Sequence, residues 1–339
     1  MQAILSIQAH KVTYKYSTFN AFSKYLNSMN SSQPKRSQVS FVEITEIQAG
    51  QRIDNFLITY LKDIPKSHVY RILRRGEIRV NKKRTKPTYR IQIGDIIRLP
   101  PLQHQEREAI LPNLNQVRIL EHHILYQDER MLVLDKPAGM AVHGGSGISF
   151  GVIESLRALY PHAPFLELVH RLDRETSGCL MIAKKRSVLR ELHTLLRDGK
   201  INKQYTTLVK GHWPRRQHIV DLPLAKNYLQ SGERIVRVSE EGKAARTRFE
   251  VLKTFANATL LRATPITGRT HQIRVHAAQT NHPIAGDDKY GHPIFNQTMA
   301  DNQLKRLFLH ASKLHIPDMK LTFESPLPVE LKTVLQNLN

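Results

Sequence analysis

This chain of 339 residues is long enough for a sizeable hydrophobic core, and its length alone predicts about two domains. It carries 51 Lys and Arg against 29 Asp and Glu, so its formal net charge is +22. Such an excess predicts attraction to polyanions, with nucleic acid as the first candidate and an anionic membrane surface as the second. The sequence has no apolar run near the ~20 residues that span a bilayer, so no membrane association is expected.

The first residues differ in composition from the rest of the chain. Residues 1–38 are rich in Ser, Asn, Gln and Lys without sustained periodicity, which predicts a disordered N-terminal tail. The segment lacks the cationic start and long apolar stretch of a secretory signal, so a cytoplasmic location is expected. A second methionine, Met29, leaves open where translation starts.

A small basic α/β module is predicted over residues 41–100. QRIDNFLITYL has apolar residues at helical spacing, and Ser67 is a suitable N-cap for HVYRILRR, which ends before Gly76. EIRVN and IQIGDIIRL are typical of short strands. Residues 51–100 hold thirteen Lys and Arg and four Asp and Glu, a net charge of 13 − 4 = +9. The candidate RNA contacts are cations that share one helical face or extend it: Arg71, Arg74, Arg75, Lys82, Lys83 and Arg84.

The remaining sequence predicts a linker and a larger domain. Residues 101–118 combine proline with polar residues, a composition typical of a linker. From 119 to 339, β-rich runs such as MLVLDKP alternate with helical patterns, which predicts an α+β domain with a mixed or antiparallel central sheet and flanking helices. Cys179, the single cysteine, lies in an apolar run and is expected to be buried. The 17 histidines form no metal-binding motif, so no metal site is expected.

The segment HRLDRETSG, residues 170–178, places one carboxylate, Asp173, between Arg171 and Arg174. Nearby cations favour the ionised carboxylate, which suits a nucleophile and does not suit a general acid. A glycosidase normally uses two carboxylates, one of them protonated, and Glu175 is the only acid close in sequence. This segment alone does not decide between a catalytic group and a salt-bridged loop that anchors two strands.

Two further segments carry candidate functional residues. Tyr205 lies in the alternating run INKQYTTLVKG, where the simplest interpretation is a core tyrosine. GRTHQIRVHAAQT predicts a helix with Thr270 as its N-cap, Arg269 before it and Arg274 one turn in. His271 and Arg274 are three residues apart and share a face. Cations at a helix start oppose the helix dipole, so an anionic partner explains them better than structural stabilisation does.

These segments together resemble a known family. HRLDRETSG, KQYTTLV and TGRTHQIRVH, in this order and spacing, resemble the motifs of the RluA-type RNA pseudouridine synthases. VHGGSG, FGVIESLRAL, SGERIVRVSEEGK and HPIAGDDKYG add to the resemblance, and the basic module resembles an S4 RNA-binding domain. The similarity covers residues 41–335. It implies the pseudouridine synthase fold, no cofactor, and 23S ribosomal RNA as substrate and partner.

The resemblance also implies roles for single residues. The family's catalytic aspartate falls on Asp173, its active-site tyrosine on Tyr205, and the basic partner of the aspartate on Arg274. The candidates for contacts with the RNA backbone or a flipped base are Arg171, Arg174, Arg269 and His271. Whether Asp173 attacks C1′, attacks C6 or abstracts a proton stays open.

Two other functions fit part of the sequence. Charge and the S4-like module alone are compatible with a non-catalytic RNA-binding or ribosome-assembly factor, which would tolerate a change at Asp173. A nucleoside or glycoside hydrolase would release free uracil, but no convincing second, protonated carboxylate is present. No obligate protein partner is implied, and a monomer is expected.

Overall fold

In the computed structural model, the described residues are 38–61, 64, 66–102, 114–144, 150–214, 219–228 and 234–338. Contacts divide the chain between residues 111 and 112 into two compact units, the N-terminal unit and the C-terminal unit. Apart from Gln38, the tail predicted over 1–38 lies outside the described residues. None of the helices within the described residues has the length and apolar character needed to cross a membrane.

The N-terminal unit packs two helices against a small antiparallel sheet with strand order β1-β3-β2. Its elements are β1 (Ser40–Glu43), α1 (Ile53–Tyr60), α2 (Lys66–Arg75), β2 (Arg79–Val80) and β3 (Ile96–Leu99). Residues at helical spacing on one face of each helix are buried in a common core, namely Ile53, Phe56, Leu57, Val69, Ile72 and Leu73. The apolar periodicity therefore predicts the buried faces of both helices, except that Tyr60, at the same spacing in α1, is 52% exposed.

The C-terminal unit holds six α-helices within its described residues. They are α3 (Leu114–Glu121), α4 (Val152–Leu159), α5 (Arg186–Arg197), α6 (Gln272–Gln279), α7 (Pro293–Asp301) and α8 (Val329–Asn337). A 3-10 helix spans Pro317–Met319. Helix α3 begins inside the segment 101–118, whose composition predicts a linker. It is helical because Val117 and Leu120, three residues apart, are both buried.

The strands of the C-terminal unit form a ten-stranded mixed sheet and a separate two-stranded hairpin. They are β4 (Ile124–Gln127), β5 (Met131–Lys136), β6 (Glu167–Leu168), β7 (Ser177–Ala183), β8 (Asn202–Lys210), β9 (Ile219–Asp221), β10 (Leu224–Tyr228), β11 (Arg234–Val238), β12 (Arg246–Thr254), β13 (Ala258–Pro265), β14 (Leu309–Ile316) and β15 (Leu321–Glu324). The main path runs β4-β5-β7-β14-β8-β13-β12-β9, with β6 on β7 and β15 on β14, while β10 and β11 form the hairpin. This architecture confirms the α+β prediction.

The central strands are buried on both faces. On β5, Leu132 and Leu134 belong to one hydrophobic cluster, whereas Met131 and Val133 belong to a second cluster on the other face, with residues of α5. Cys179 of β7 is fully buried, as the sequence predicts. Burial on both faces explains why these strands are continuous apolar runs in the sequence.

One pairing in the sheet places the loop before β7. Strands β7 and β14 run parallel, with Gly178 opposite Ala311. Gly178 has φ +106°, and a Cβ atom there would collide with the carbonyl oxygen of Ala311. The glycine that ends HRLDRETSG therefore permits close pairing immediately after the loop that carries Asp173.

Candidate active site

The loop between β6 and β7 carries Asp173, and backbone contacts hold it in place. The N–H of Thr176 donates to the carbonyl of Asp173 at 3.1 Å. The carbonyl of Arg174 accepts from the N–H of Gly139 at 2.9 Å and from Lys136 Nζ at 3.0 Å. The position of the carboxylate thus depends on residues about 35 positions earlier in the chain, which contact its loop.

Lys136, at the end of β5, is fully buried behind this loop. Its Nζ donates to the carbonyls of Pro137 and Met140 at 2.8 Å each, in addition to Arg174. Burial lowers the pKa of the lysine to about 7, although the nearby carboxylates oppose this shift. Three carbonyl acceptors match the three N–H bonds of an ammonium group, so the side chain joins two loops at the site.

The partner of the Asp173 carboxylate is Arg274 of α6, whose Nη1 lies 3.3 Å from Asp173 Oδ2. Arg274 also donates from Nε and Nη2 to the two carboxylate oxygens of Asp287, at 2.8 Å each. The Asp287 side chain is fully buried, and those of Arg274 and Asp173 are 12% and 17% exposed. The bidentate pair with Asp287 fixes the guanidinium plane, which leaves one nitrogen directed at Asp173.

The pKa values of this pair reflect burial and mutual attraction. Burial opposes the charge on Arg274, but the hydrogen bonds and charge of Asp287, and then Asp173, raise its pKa overall. Burial likewise opposes the charge on Asp287, but the hydrogen bonds and charge of Arg274 lower its pKa. Both groups are therefore ionised near neutral pH.

The start of α6 places both Arg274 and His271. The helix begins at Gln272 with His271 as its N-cap, one residue later than the predicted cap at Thr270. The Gln272 side chain accepts from the N–H of Arg269 at 3.0 Å and donates to the carbonyl of Arg246 at 2.9 Å. These bonds fix the loop before α6, which explains why the helix does not start at the threonine.

Tyr205 lies on β8 opposite Ala263 of β13 and is 8% exposed. It belongs to the main hydrophobic cluster and also lines the cavity that contains Asp173. Burial raises the pKa of its phenol, and the charge of Asp173 raises it further. The ring is therefore a core residue, as the simplest interpretation predicts, and its place in the cavity lining is compatible with the predicted role in the active site.

A cavity of about 520 Å³ brings the candidate residues together. Its lining includes Asp173, Tyr205, Arg274, Arg171, Arg269 and His271. Apolar side chains, among them Leu172, Ile273 and Leu309, line it as well. A second cavity of about 440 Å³ lies beside the β10–β11 hairpin, and Gly268, Arg269 and Thr270 line both cavities. The combination of charged and apolar walls suits a planar polar ring attached to a polyanion.

One predicted contact lies elsewhere. Arg174 is exposed, is not part of the cavity lining, donates from Nε to the carbonyl of Gly139 at 2.9 Å and lies 3.5 Å from Glu175. The basic side chains near the Asp173 carboxylate, among the described residues, are the guanidinium of Arg274, at 3.3 Å, and the imidazole of His271, at 3.7 Å. Within the described residues, no ion pair joins Asp173 to Arg171 or Arg174, the two arginines that flank it in the sequence.

The predicted RNA contacts of the N-terminal unit lie on its surface. Their side chains are all exposed: Arg71, Arg74, Arg75, Lys82, Lys83 and Arg84. Val80 and Lys83 exchange backbone hydrogen bonds around a two-residue turn, in which Asn81 and Lys82 have φ of 48° and 68°. The Arg84 side chain packs over Gly76, just past the end of α2. The turn and the helix end therefore form one cationic patch.

Three residues of the site have no local sequence pattern that indicates a role. Asp287 and Tyr290 lie in HPIAGDDKYG, which contributes to the family resemblance but offers no local pattern for a role. Tyr290 contacts His271 through its hydroxyl and lies under the Arg274 guanidinium, 5.1 Å from the ring centroid. Lys136 ends an apolar strand, and a polar residue at a strand end does not by itself indicate a role. A buried acid can be expected wherever a buried arginine is, but the sequence does not say which acid.

Comparison with protein families gives two matches. The family model described as RNA pseudouridylate synthase matches residues 130–279, and the S4 domain model matches residues 51–97. A curated relative from Escherichia coli (strain K12), called ribosomal large subunit pseudouridine synthase C, is 56% identical over 308 residues, or 88% of this chain and 97% of the relative. A protein of the same name from Haemophilus ducreyi is 52% identical over 316 residues, or 91% and 99%.

Solved structures agree with these matches. Human RNA Pseudouridylate Synthase Domain Containing 4 aligns with a TM-score of 0.55 and 29% identity, covering 66% of this chain and 95% of that chain. Human RNA Pseudouridylate Synthase Domain Containing 1 aligns with a TM-score of 0.50 and 24% identity, covering 60% and 82%. The second shows the fold alone, and the first adds sequence similarity to it.

Proposed function

Because the chain belongs to the RNA pseudouridylate synthase family, we propose that it converts specific uridines of 23S ribosomal RNA to pseudouridine. The substrate is supported by the large-subunit relatives, by the S4 domain match and by the net charge of +22. Several target uridines are expected. The observation that carries the proposal is the carboxylate of Asp173, held in the cavity by an arginine that a buried aspartate fixes.

Pseudouridine formation breaks the N1–C1′ bond of uridine, turns the uracil and joins C5 to C1′. The atoms of substrate and product are the same, so no redox partner or energy source is required. Asp173 is the group that acts on the nucleoside, and Arg274, whose Nη1 lies 3.3 Å from Asp173 Oδ2, orients it. Tyr205 offers an aromatic wall against which the detached uracil is retained. The apolar lining limits the water that would turn isomerisation into hydrolysis.

The target uridine has to leave its stack to enter the cavity, at a cost of a few kcal/mol, on the order of one stacking step. Phosphate contacts with release of counterions offset this cost. Arg171, Arg269 and His271 line the cavity and are suited to the flipped nucleotide or its phosphates. Arg174 remains a candidate for the backbone of the RNA outside the cavity. The exposed patch of the N-terminal unit supplies binding that positions RNA without reading its sequence.

The two other functions are less well supported. A non-catalytic assembly factor has no use for a carboxylate placed in a cavity beside a buried Arg–Asp pair. A hydrolase of the glycosidase type needs a protonated second acid. Asp287, the other carboxylate bonded to Arg274, has a lowered pKa, so it does not fill that role.

The test is Asp173→Asn, assayed by carbodiimide modification and primer extension on 23S ribosomal RNA. Pseudouridine formation should be abolished while RNA affinity stays within about threefold, because the amide keeps the shape and loses the charge. Asp318→Asn is the matched control, since Asp318 forms a surface pair with Lys200 at 3.0 Å and should not affect activity. A variant at Asp173 that still forms pseudouridine would exclude this mechanism.

We also propose that the enzyme acts as a monomer in the cytoplasm, where its substrate is made. The location is supported by the relatives named for the large ribosomal subunit, and no described helix is suited to span a membrane. Light scattering of the purified protein with and without RNA measures the mass directly. A dimer as the active species would refute the monomer.

A further inference from the structure

A chain of polar contacts leads from Asp173 to the β10–β11 hairpin. His271 Nε2 lies 3.7 Å from Asp173 Oδ2, and His271 Nδ1 lies 2.8 Å from the hydroxyl of Tyr290. The same hydroxyl oxygen accepts from the backbone N–H of Val236, on β11, at 2.9 Å. Three groups from different parts of the chain thus connect the hairpin to the carboxylate.

One arrangement of protons fits all of these contacts. Because the Tyr290 oxygen accepts from Val236, its own O–H is available to donate to His271 Nδ1. A neutral imidazole that accepts at Nδ1 carries its proton on Nε2, and that nitrogen faces Asp173. Burial lowers the pKa of His271, in agreement with a neutral ring. The ionisable groups around the imidazole are Asp173, Arg274, Lys289, Asp287 and Tyr290.

The backbone of His271 is in an unusual conformation. Its φ is 52° and its ψ 20°, in the left-handed region that side chains other than glycine disfavour. Neighbouring bonds hold it there, among them the contact of Gln272 with the N–H of Arg269. Strain of this kind persists where the surrounding structure enforces it, and it concentrates at functional sites. In this protein, the left-handed conformation directs the His271 imidazole toward the cavity.

The β10–β11 hairpin packs against α6 and Tyr290. Leu224 and Val236 form a small hydrophobic cluster with Ala245 and with Val275 of α6, and Tyr290 packs against it. The cavity of about 440 Å³ is lined by hairpin residues on one side and by Gly268, Arg269 and Thr270 on the other. A nucleotide chain that occupies this cavity contacts the hairpin and the loop before His271 together.

We propose that His271 and Tyr290 are positioning residues for Asp173, and that they make the orientation of the carboxylate depend on the seating of the β10–β11 hairpin. This inference rests on the proposed function. The 3.7 Å separation between His271 and Asp173 exceeds a hydrogen bond, and such contacts tighten when substrate is bound. RNA held beside the hairpin therefore closes the contact and completes the support of the carboxylate, with Arg274 on one oxygen and the imidazole beside it.

Single-turnover rates at saturating RNA test the positioning role. Tyr290→Phe should slow pseudouridine formation about tenfold, with the Kd for RNA changed less than threefold. His271→Ala should slow it about a hundredfold even at saturating RNA, so that any loss of RNA affinity does not account for the lower rate. His271→Gln keeps a donor where Nε2 lies, so it should restore most of the rate. Tyr126→Phe is the matched control, because Tyr126 donates to Asp128 at 2.9 Å outside the cavity lining, and it should leave the rate unchanged.

The pH profile separates this role from simple structural support. The Tyr290 hydroxyl donates to the neutral ring, so its removal should raise the pKa of His271 and move the acidic limb of the rate profile to higher pH. The His271→Gln variant has no imidazole to titrate. Adding Tyr290→Phe to it should therefore leave the acidic limb of the rate profile where it is. Melting temperatures within a few degrees of wild type establish that the variants are folded.

The hairpin link has its own test. Val236→Ala loosens the hairpin and should slow the rate severalfold in the wild type but much less in the Tyr290→Phe background, because the coupling passes through Tyr290. Wild-type protein without pseudouridine formation would refute the proposed function itself. An active wild type with unchanged rates in Tyr290→Phe and His271→Ala, or with only RNA affinity reduced, would overturn the positioning role alone.

Discussion

The two units of the molecule use the same side chain, arginine, in opposite ways. In the C-terminal unit, Arg274 is 12% exposed and bonded to two carboxylates. In the N-terminal unit, Arg75 is 67% exposed, and its distance to Glu77 is 3.8 Å. Removing one partner of a buried ion pair leaves an uncompensated charge, whereas an exposed pair contributes little because water and salt screen it. Buried charge therefore fixes geometry, and exposed charge attracts a partner.

The two units also differ in how firmly their arginine side chains are held. The Arg274 guanidinium is held by two hydrogen bonds to Asp287, so its remaining nitrogen is directed at one oxygen of Asp173. The exposed cations on α2 retain their freedom and can follow many phosphate arrangements. Mutations that remove an arginine from each unit should therefore differ in kind as well as in size.

Arg274→Met should have the largest effect. It leaves the buried Asp287 and the Asp173 carboxylate without their cation, so we expect a loss of about 3 to 5 kcal/mol in the free energy of unfolding. The rate of pseudouridine formation should fall about 10³-fold, because the carboxylate loses its orientation and electrostatic support. Urea denaturation and single-turnover assays measure the two losses.

The matched control for this variant is Arg262→Met. Arg262 of β13 pairs with Glu250 at 2.8 Å across the sheet, but both side chains are about two-fifths exposed, at 41% and 43%. The free energy of unfolding should change by less than about 1 kcal/mol. Equal losses in the two variants would contradict the contrast between buried and exposed charge.

Lys136→Met tests a second buried cation, one that binds no carboxylate. Three carbonyls that accept from its Nζ would lose their donor, so we expect a loss of about 3 kcal/mol in the free energy of unfolding. The Asp173 loop loses one anchor, which should slow the reaction about tenfold. Lys332→Met on the exposed face of α8 is the control. If Lys136→Met lost no more stability than this control, the three carbonyls would be satisfied without the lysine.

The sequence predicts those parts of this site that local patterns carry. Asp173, Tyr205 and Arg274 stand in three motifs whose order matches a family, and the structure brings them to one cavity. Continuous apolar runs predict the central strands of the mixed sheet, which are buried on both faces. Helical apolar periods predict both helices of the N-terminal unit, since burial of one face imposes a period. Such signals require only neighbours within a few residues.

The remaining features depend on contacts between distant segments. Asp287 meets Arg274 only after the chain has passed through the loop that follows α6, and its neighbours HPIAGDDKYG give no sign of the pairing. Arg174 is adjacent to Asp173 in sequence, yet it bonds to Gly139. Lys136 is polar at the end of an apolar strand, which usually indicates a solvated side chain, and its burial comes from loops that fold over it.

The protonation of Lys136 gives a smaller, pH-dependent contrast with the exposed cations. Its pKa is about 7 in the folded protein and 10.5 for an ordinary lysine. Between these values the unfolded chain binds more protons than the folded one, so the free energy of unfolding should rise with pH in this window. The rise should reach up to about 2 kcal/mol between pH 7 and pH 9 relative to Lys136→Met.

Urea denaturation of both proteins at several pH values measures this difference. Because Lys136→Met lacks the titrating group, subtracting its values removes the contribution of every other ionisable residue. A difference that stays constant from pH 7 to pH 9 would mean that the three carbonyls hold the ammonium form at its ordinary pKa.

The smallest effect on the reaction itself is expected from the N-terminal unit. Changing Arg71, Arg74 and Arg75 together to Gln should weaken RNA binding about tenfold near physiological salt, while the rate at saturating RNA stays the same. The slope of log affinity against log salt should become shallower by about two to three units, because each lost phosphate contact removes just under one. Filter binding over a range of salt concentrations measures both quantities.

A charge-matched variant separates specific contact from net charge. Lys305, Lys320 and Lys332 are exposed cations of the C-terminal unit, and their joint change to Gln removes the same three charges. If only net charge mattered, both triple variants would lose affinity and salt slope equally. If α2 contacts phosphates directly, the slope should change in the arginine variant and hardly at all in the lysine variant, because counterion release is counted at the contacts rather than over the whole surface.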